Sequence, residues 1–213
     1  MVALLTVGQL RRLVQASWDA VVLWMIQKPR VLRLPRPEQQ IQFELACRLR
    51  EAVRAAAEAP SWDRLFFDAS GETSGGSRGV FGRRPALWLD THQLYGLDPA
   101  EERTPHTPDL ALSVHVLRAP PAVLELDDDG RPRDREWVPS SLGVQGLVLE
   151  DEVRTFDELS RHGVESWLFV VYANEALRTT VVDVRAVASW ASWKEVSPTL
   201  RWAARHFRAK PPR

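Results

Sequence analysis

At 213 residues, 45% hydrophobic and 26% charged, the chain is long and apolar enough for a sizeable core, and its composition excludes a disordered or low-complexity protein. Lys+Arg and Asp+Glu balance at 28 each, so net charge singles out no class of partner. The one cysteine, Cys47, excludes an intrachain disulfide and a cysteine-ligated zinc cluster.

A reducing compartment suits that cysteine usage, and the first residues lack a basic head and a small-residue cleavage site. The apolar runs fall short of a membrane span, so a cytoplasmic protein without a membrane partner is expected. Residues 9–27 space Leu10, Leu13, Val14, Trp18, Val21, Val22 and Met25 by threes and fours, which predicts an amphipathic helix. The proline-rich segment QKPRVLRLPRP breaks it, and residues 1–35 read as an N-terminal helical arm ahead of a domain at 36–213. A second helix runs from about Pro37 to Ala59, with Ile41, Leu45, Leu49 and Val53 four apart and Pro37 and Glu38 suited to its first turn.

A short strand is predicted around Leu65 to Phe67. The loop GETSGGSRGVFGRRP follows, combining glycines with Arg78, Arg83 and Arg84. Such a loop reads either as plain surface or as a close approach to a phosphate backbone; it lacks the Gly-Lys-Ser/Thr ending of a Walker loop. PALWLDTHQLYGL suggests a further strand and turn.

From Asp109 to Leu117 the period is two: Leu110, Leu112, Val114 and Val116 alternate with Ala111, Ser113 and His115. Ala122 to Asp127 reads as the next strand, with Glu125 and Asp127 on one face, and DDDGRP as its turn. Leu147 to Glu152 reads as a third, presenting Glu150 and Glu152 together. Thr155 and Glu158 form a capping-box pattern for a short helix that Gly163 ends. Glu165 to Ala173 is apolar enough to be buried on both faces, and TTVVDVRAV is another strand. SPTLRWAARHFRAK is predicted as a closing helix with Leu200, Ala203, Ala204 and Phe207 on one side. The order gives an α/β or α+β domain with a mixed sheet.

Carboxylates at strand ends are what a hard divalent cation seeks, and a water-facing strand end is the plainer explanation of the same residues. His92, His106, His115, His162 and His206 show no zinc-ligand spacing, and no Gly-x-Ser-x-Gly elbow is present. From Lys194 onward the cations Lys194, Arg201, Arg205, Arg208, Lys210 and Arg213 face one acid, Glu195. Trp190, Trp193 and Trp202 lie among them, placed either to stack on bases or to seal a core.

Pro108-Asp109 before a strand, a glutamate (Glu44) on the leading helix, and TFDELSRHG leading into ESWLFVVYAN together resemble the PD-(D/E)xK nuclease superfamily. The resemblance covers roughly residues 38–174. It implies a restriction-endonuclease-like mixed sheet flanked by helices: a helix, a three-strand meander, a helix and a fourth strand. It also implies a Mg2+ (or Mn2+) dependent deoxyribonuclease acting on DNA, or RNA, with a homodimer as the usual way to cut both strands. Asp109 would bridge the metal, Glu150 or Glu125 would be its second ligand, and Glu152 or Asp127 would orient or deprotonate the water. Glu44 would be an outer or second-metal ligand. Arg78, Arg83, Arg84, Lys194, Arg201 and Arg205 would meet the nucleic acid. The family's lysine is missing: position 127 holds aspartate and position 152 glutamate. A catalytically inactive relative, serving nucleic-acid binding or complex assembly, is the other reading.

Overall fold

A computed structural model of the chain describes residues 6–56, 65–67, 87–89, 110–118, 140–173, 190–197 and 200–210. Helix α1 spans Val7–Gln27 and begins on a reciprocal cap. The Gln9 amide N–H donates to the Thr6 hydroxyl at 3.2 Å, and the Thr6 N–H donates to the Gln9 side-chain oxygen at 2.8 Å. Pro29 cannot continue the helix, and a 3-10 turn at Pro29–Arg33 leads into α2, Pro37–Ala56. The first two expected helices are therefore present where their apolar stripes placed them.

The strands are β1 (Leu65–Phe67), β2 (Leu87–Leu89), β3 (Leu110–Arg118), β4 (Glu165–Ala173), β5 (Lys194–Ser197) and β6 (Leu200–Phe207). They form one mixed sheet in the order β1-β2-β3-β4-β6-β5. β1, β2 and β3 are an antiparallel meander; β4 lies parallel to β3, from Leu110↔Glu165 to Arg118↔Ala173; β6 returns antiparallel to β4. A parallel neighbour requires a crossover, and helix α3 (Ser140–Arg161) supplies it.

β4 is the centre of the fold, with all nine residues buried. Trp167, Phe169, Val171 and Ala173 pack toward α1 and α2, together with Leu110, Leu112, Val114 and Val116 of β3. Leu168, Val170 and Tyr172 pack toward Leu149, Phe156 and Leu159 of α3. The result is three layers: α1 and α2, the sheet, then α3. The helix read as part of an arm contributes Trp18 to this core; its ring stacks on Phe169 at 4.0 Å and meets Trp202 edge-on at 5.7 Å.

Two segments differ from their sequence reading. Leu147 to Glu152 is not a strand but lies inside α3. Over six residues LVLEDE alternates like a strand. Over a longer window Leu149, Val153, Phe156 and Ser160 recur at helical spacing, and it is this stripe that turns to the sheet. Thr155 is accordingly no cap: its hydroxyl donates to the Asp151 carbonyl at 3.1 Å, within the helix. Gly163 does end the helix, at φ 84°.

The closing helix expected for SPTLRWAARHFRAK is strand β6. Alanine, leucine and arginine favour helix, but pairing along eight residues of β4 overrides that preference. Both faces of β6 are partly covered, so Leu200 and Trp202 point to one layer and Ala203 and Phe207 relate to the other. Apolar residues on both faces of a strand reproduce the i, i+3, i+4, i+7 spacing by coincidence. The expected strands at 122–127 and 179–187 and the glycine-rich loop at 71–85 lie outside the described residues.

Because Trp18 is fully buried between two aromatic rings, Trp18→Ala should cost about 3–5 kcal/mol. Urea unfolding followed by far-UV circular dichroism measures it.

Candidate functional site

The parallel pairing of β3 and β4 brings their first residues to one sheet edge, where Glu165 stands level with Leu110. Glu165 follows Val164 at the head of an apolar strand, and only 2% of its side chain is exposed. A carboxylate so placed needs partners, and α1 and the end of β6 provide three. The Arg11 Nε–H of α1 donates at 2.6 Å, and the Ala209 backbone N–H beyond β6 donates at 2.8 Å. His206 Nε2 of β6 makes a short contact with the same oxygen that Arg11 bonds. Trp167 lies flat against the His206 ring at 4.2 Å.

Burial opposes the charge on Glu165, but the donors outweigh it and hold the carboxyl below its ordinary range. Burial dominates at His206 and lowers its pKa despite the attraction of Glu165, with Arg11 and Arg208 adding to the lowering. Arg11 is raised by its bond to Glu165. A neutral imidazole donating through Nε2–H to an ionised carboxylate satisfies all three directions. Sequence reading missed this cluster. The signal was a glutamate opening an otherwise apolar run, since such a residue is rarely buried unpaired.

Of the carboxylates singled out from the sequence, the three among the described residues, Glu44, Glu150 and Glu152, do not converge. Glu150 is exposed on α3, and Glu152, two positions on, points about 200° around the helix from it. Glu152 contacts His115 Nε2 of β3. Glu44 is on α2, across the sheet from α3, and forms an ion pair with Arg48 at 2.6 Å. The sheet therefore separates Glu44 from Glu150 and Glu152. Asp109, Glu125 and Asp127 lie outside the described residues, as do Arg78, Arg83 and Arg84. Among the described residues, no three histidine, cysteine or acidic side chains are grouped as a metal ion requires.

The basic residues of β5 and β6 divide between the two faces. Lys194 sits over the Trp202 ring at 4.6 Å, on the α1–α2 side. Arg205 shares the other face with Phe207, its guanidinium 5.0 Å from that ring and 5.6 Å from the Trp190 ring. Arg201 reaches Glu195 at 3.4 Å. Trp190 and Trp193 are half-buried beside this second face. Family models, curated proteins and solved structures were all compared with the chain, and none matches.

The Glu165 cluster carries a defined pH dependence. A lowered histidine pKa means that the unfolded state takes up protons first, so stability falls as pH drops below the ordinary histidine value of 6.5. Glu165 adds a second loss below its ordinary value of 4.5, because its charged form is the one held in the fold. His206→Gln keeps a donor but removes the titration, so it should flatten the first fall and leave the second. Urea midpoints measured from neutrality to below pH 4.5 report both.

Proposed function

We propose that the chain is a restriction-endonuclease-like module that binds DNA without cleaving it. Support for the scaffold comes from element order: α2, the meander β1-β2-β3, the crossover α3 and the parallel strand β4. That is the order of the nuclease superfamily named above. The observation that carries the loss of chemistry is β3. In the family the meander's third strand bears an acid, one spacer and a lysine; here that strand reads Leu110 to Arg118 without acid or lysine, and the Pro-Asp that should open the second strand precedes the third. Its one titratable side chain besides Arg118 is His115, engaged by Glu152. With Glu44 paired and separated by the sheet, the described carboxylates do not fit a Mg2+ or Mn2+ site.

Support for nucleic acid as ligand comes from the face of β6 beside α3, where Arg201 and Arg205 stand among the half-buried Trp190 and Trp193. Arginines interleaved with aromatic rings suit a phosphate chain whose bases can stack. A metal-dependent nuclease remains the second reading because of one register pair. Leu89 of β2 lies opposite Leu110 of β3, and the chain neighbours of that pair are Asp90 and Asp109.

Fluorescence anisotropy with single-stranded and duplex DNA tests the proposal. Binding should weaken with salt, and Arg205→Ala and Trp190→Ala should each lower affinity about tenfold. Plasmid incubated with Mn2+ should remain supercoiled. Nicking by the wild type that disappears in Asp109→Ala would establish the nuclease instead.

A further inference from the structure

Between Asp19 and Glu38 the chain contains no acid, and its charged residues there are Lys28, Arg30, Arg33 and Arg36. All four are exposed. They occupy the corner where α1 turns into α2, a connection stiffened by Pro29, Pro35 and Pro37. Of the acids flanking this stretch, Asp19 accepts from the Gln15 side chain at 2.9 Å and Glu44 pairs with Arg48 at 2.6 Å.

Large apolar side chains stand exposed around these cations: Leu23 at 59%, Ile26 at 45%, Leu34 at 40% and Phe43 at 62%. The helical repeat explains where they point. Leu23 lies two positions from Val21 and Met25, and Phe43 two from Ile41 and Leu45, all four of which are core residues. Two positions are about 200° of helix, so both side chains face away from the sheet. Ile26 and Leu34 bracket the turn between them. None of the four contributes to the core, and all four fall between residues 23 and 43, on or beside the turn from α1 into α2.

Charge across the molecule gives the patch a direction. On the opposite side of the sheet, α3 from residue 149 onward carries Glu150, Asp151, Glu152, Asp157 and Glu158 against Arg154 and Arg161. One outer layer is thus cationic at its corner and the other acidic. Among the described residues no helix is long and apolar enough to cross a membrane, and none is needed for docking at a surface. A nucleic-acid backbone matches the cations but offers nothing to Leu23, Ile26, Leu34 and Phe43. A second copy of the same corner would set four cations against four.

We propose that the α1–α2 corner, residues 23–43, docks onto an anionic phospholipid surface. Leu23, Ile26, Leu34 and Phe43 enter the headgroup boundary, and Lys28, Arg30 and Arg36 meet the anionic headgroups, while the acidic α3 faces away.

Flotation of the full chain with vesicles tests this directly. The protein should rise with phosphatidylcholine vesicles containing phosphatidylglycerol, stay behind with phosphatidylcholine alone, and detach as salt is raised. The triple variant Lys28→Gln, Arg30→Gln, Arg36→Gln should partition about a hundredfold more weakly. Leu23→Ser with Phe43→Ser leaves the charge unchanged and should lose at least about tenfold. Val7→Ser, at the far end of α1, should behave as wild type. These side chains are exposed, so circular dichroism should show all variants folded. Absence of flotation with anionic vesicles overturns the proposal, as does equal flotation with both vesicle types or undiminished flotation of the triple variant. A concentration-dependent dimer that the Leu23→Ser, Phe43→Ser variant abolishes, or an acidic peptide that competes off no lipid yet needs Leu23 and Phe43, also overturns it in favour of a protein partner.

Discussion

Two-sided burial of β4 is the constraint from which the architecture follows. A strand with no exposed residue needs hydrogen-bonding neighbours on both edges and a packed layer on both faces. β3 and β6 supply the edges, α1 with α2 one face and α3 the other. Direction follows as well: α3 spans the fold between two parallel strands, whereas the return into β6 is antiparallel. The only charged side chain in β4 sits at its first position, where Arg11 of α1 converges with His206 and the Ala209 N–H from the end of β6. Glu165 consequently ties the first helix and the chain beyond the last strand to the core strand. Such a pair contributes little net stability relative to apolar packing, but losing one partner leaves a charge stranded, so it specifies arrangement more than it adds strength.

The sequence made α1, α2, β3 and β4 legible because each carries one unmixed period. The stripe from Leu10 to Met25 is helical over its whole length, and Leu110 to Leu117 alternates without a break. Errors arose where a window was short or a segment had two faces. LVLEDE alternates for six residues inside a helix of 22, and only Val153, Phe156 and Ser160 farther along disclose the helical repeat. β6 failed for the opposite reason. Its composition is helix-favouring, and what makes it a strand is the edge of β4, a partner distant in sequence that local propensity does not encode.

The candidate site was less legible than the fold. Clustering of carboxylates in sequence depends on the element that carries them, and moving Glu150 and Glu152 from strand to helix separates their directions. Glu44 was placed on the correct helix, but which layer that helix joins is decided by the sheet between α2 and α3. His115 belongs to the alternation expected for its strand, but its partner Glu152 comes from the segment expected as a strand and found in α3. Glu165 went unremarked because an acid at a strand head is ordinarily solvated, and burial is a property of the assembled edge.

A balanced composition here conceals an unbalanced distribution. Opposite charges spread evenly would give short-range pairs, screened within about 10 Å at moderate salt, and no preferred orientation toward any partner. The described charges sort by layer instead. Arg48, Arg161 and Lys210 are engaged locally by Glu44 and Asp157, which removes them from any longer-range field. Between Asp19 and Glu38 the charged residues of the α1–α2 corner are all cations, whereas from residue 149 onward α3 carries more acids than cations. Two such regions on opposite faces of one sheet give the described residues an uneven charge distribution. A molecule of that kind is turned by a charged surface before it touches it, and the corner that arrives first is the one carrying exposed Leu23 and Phe43.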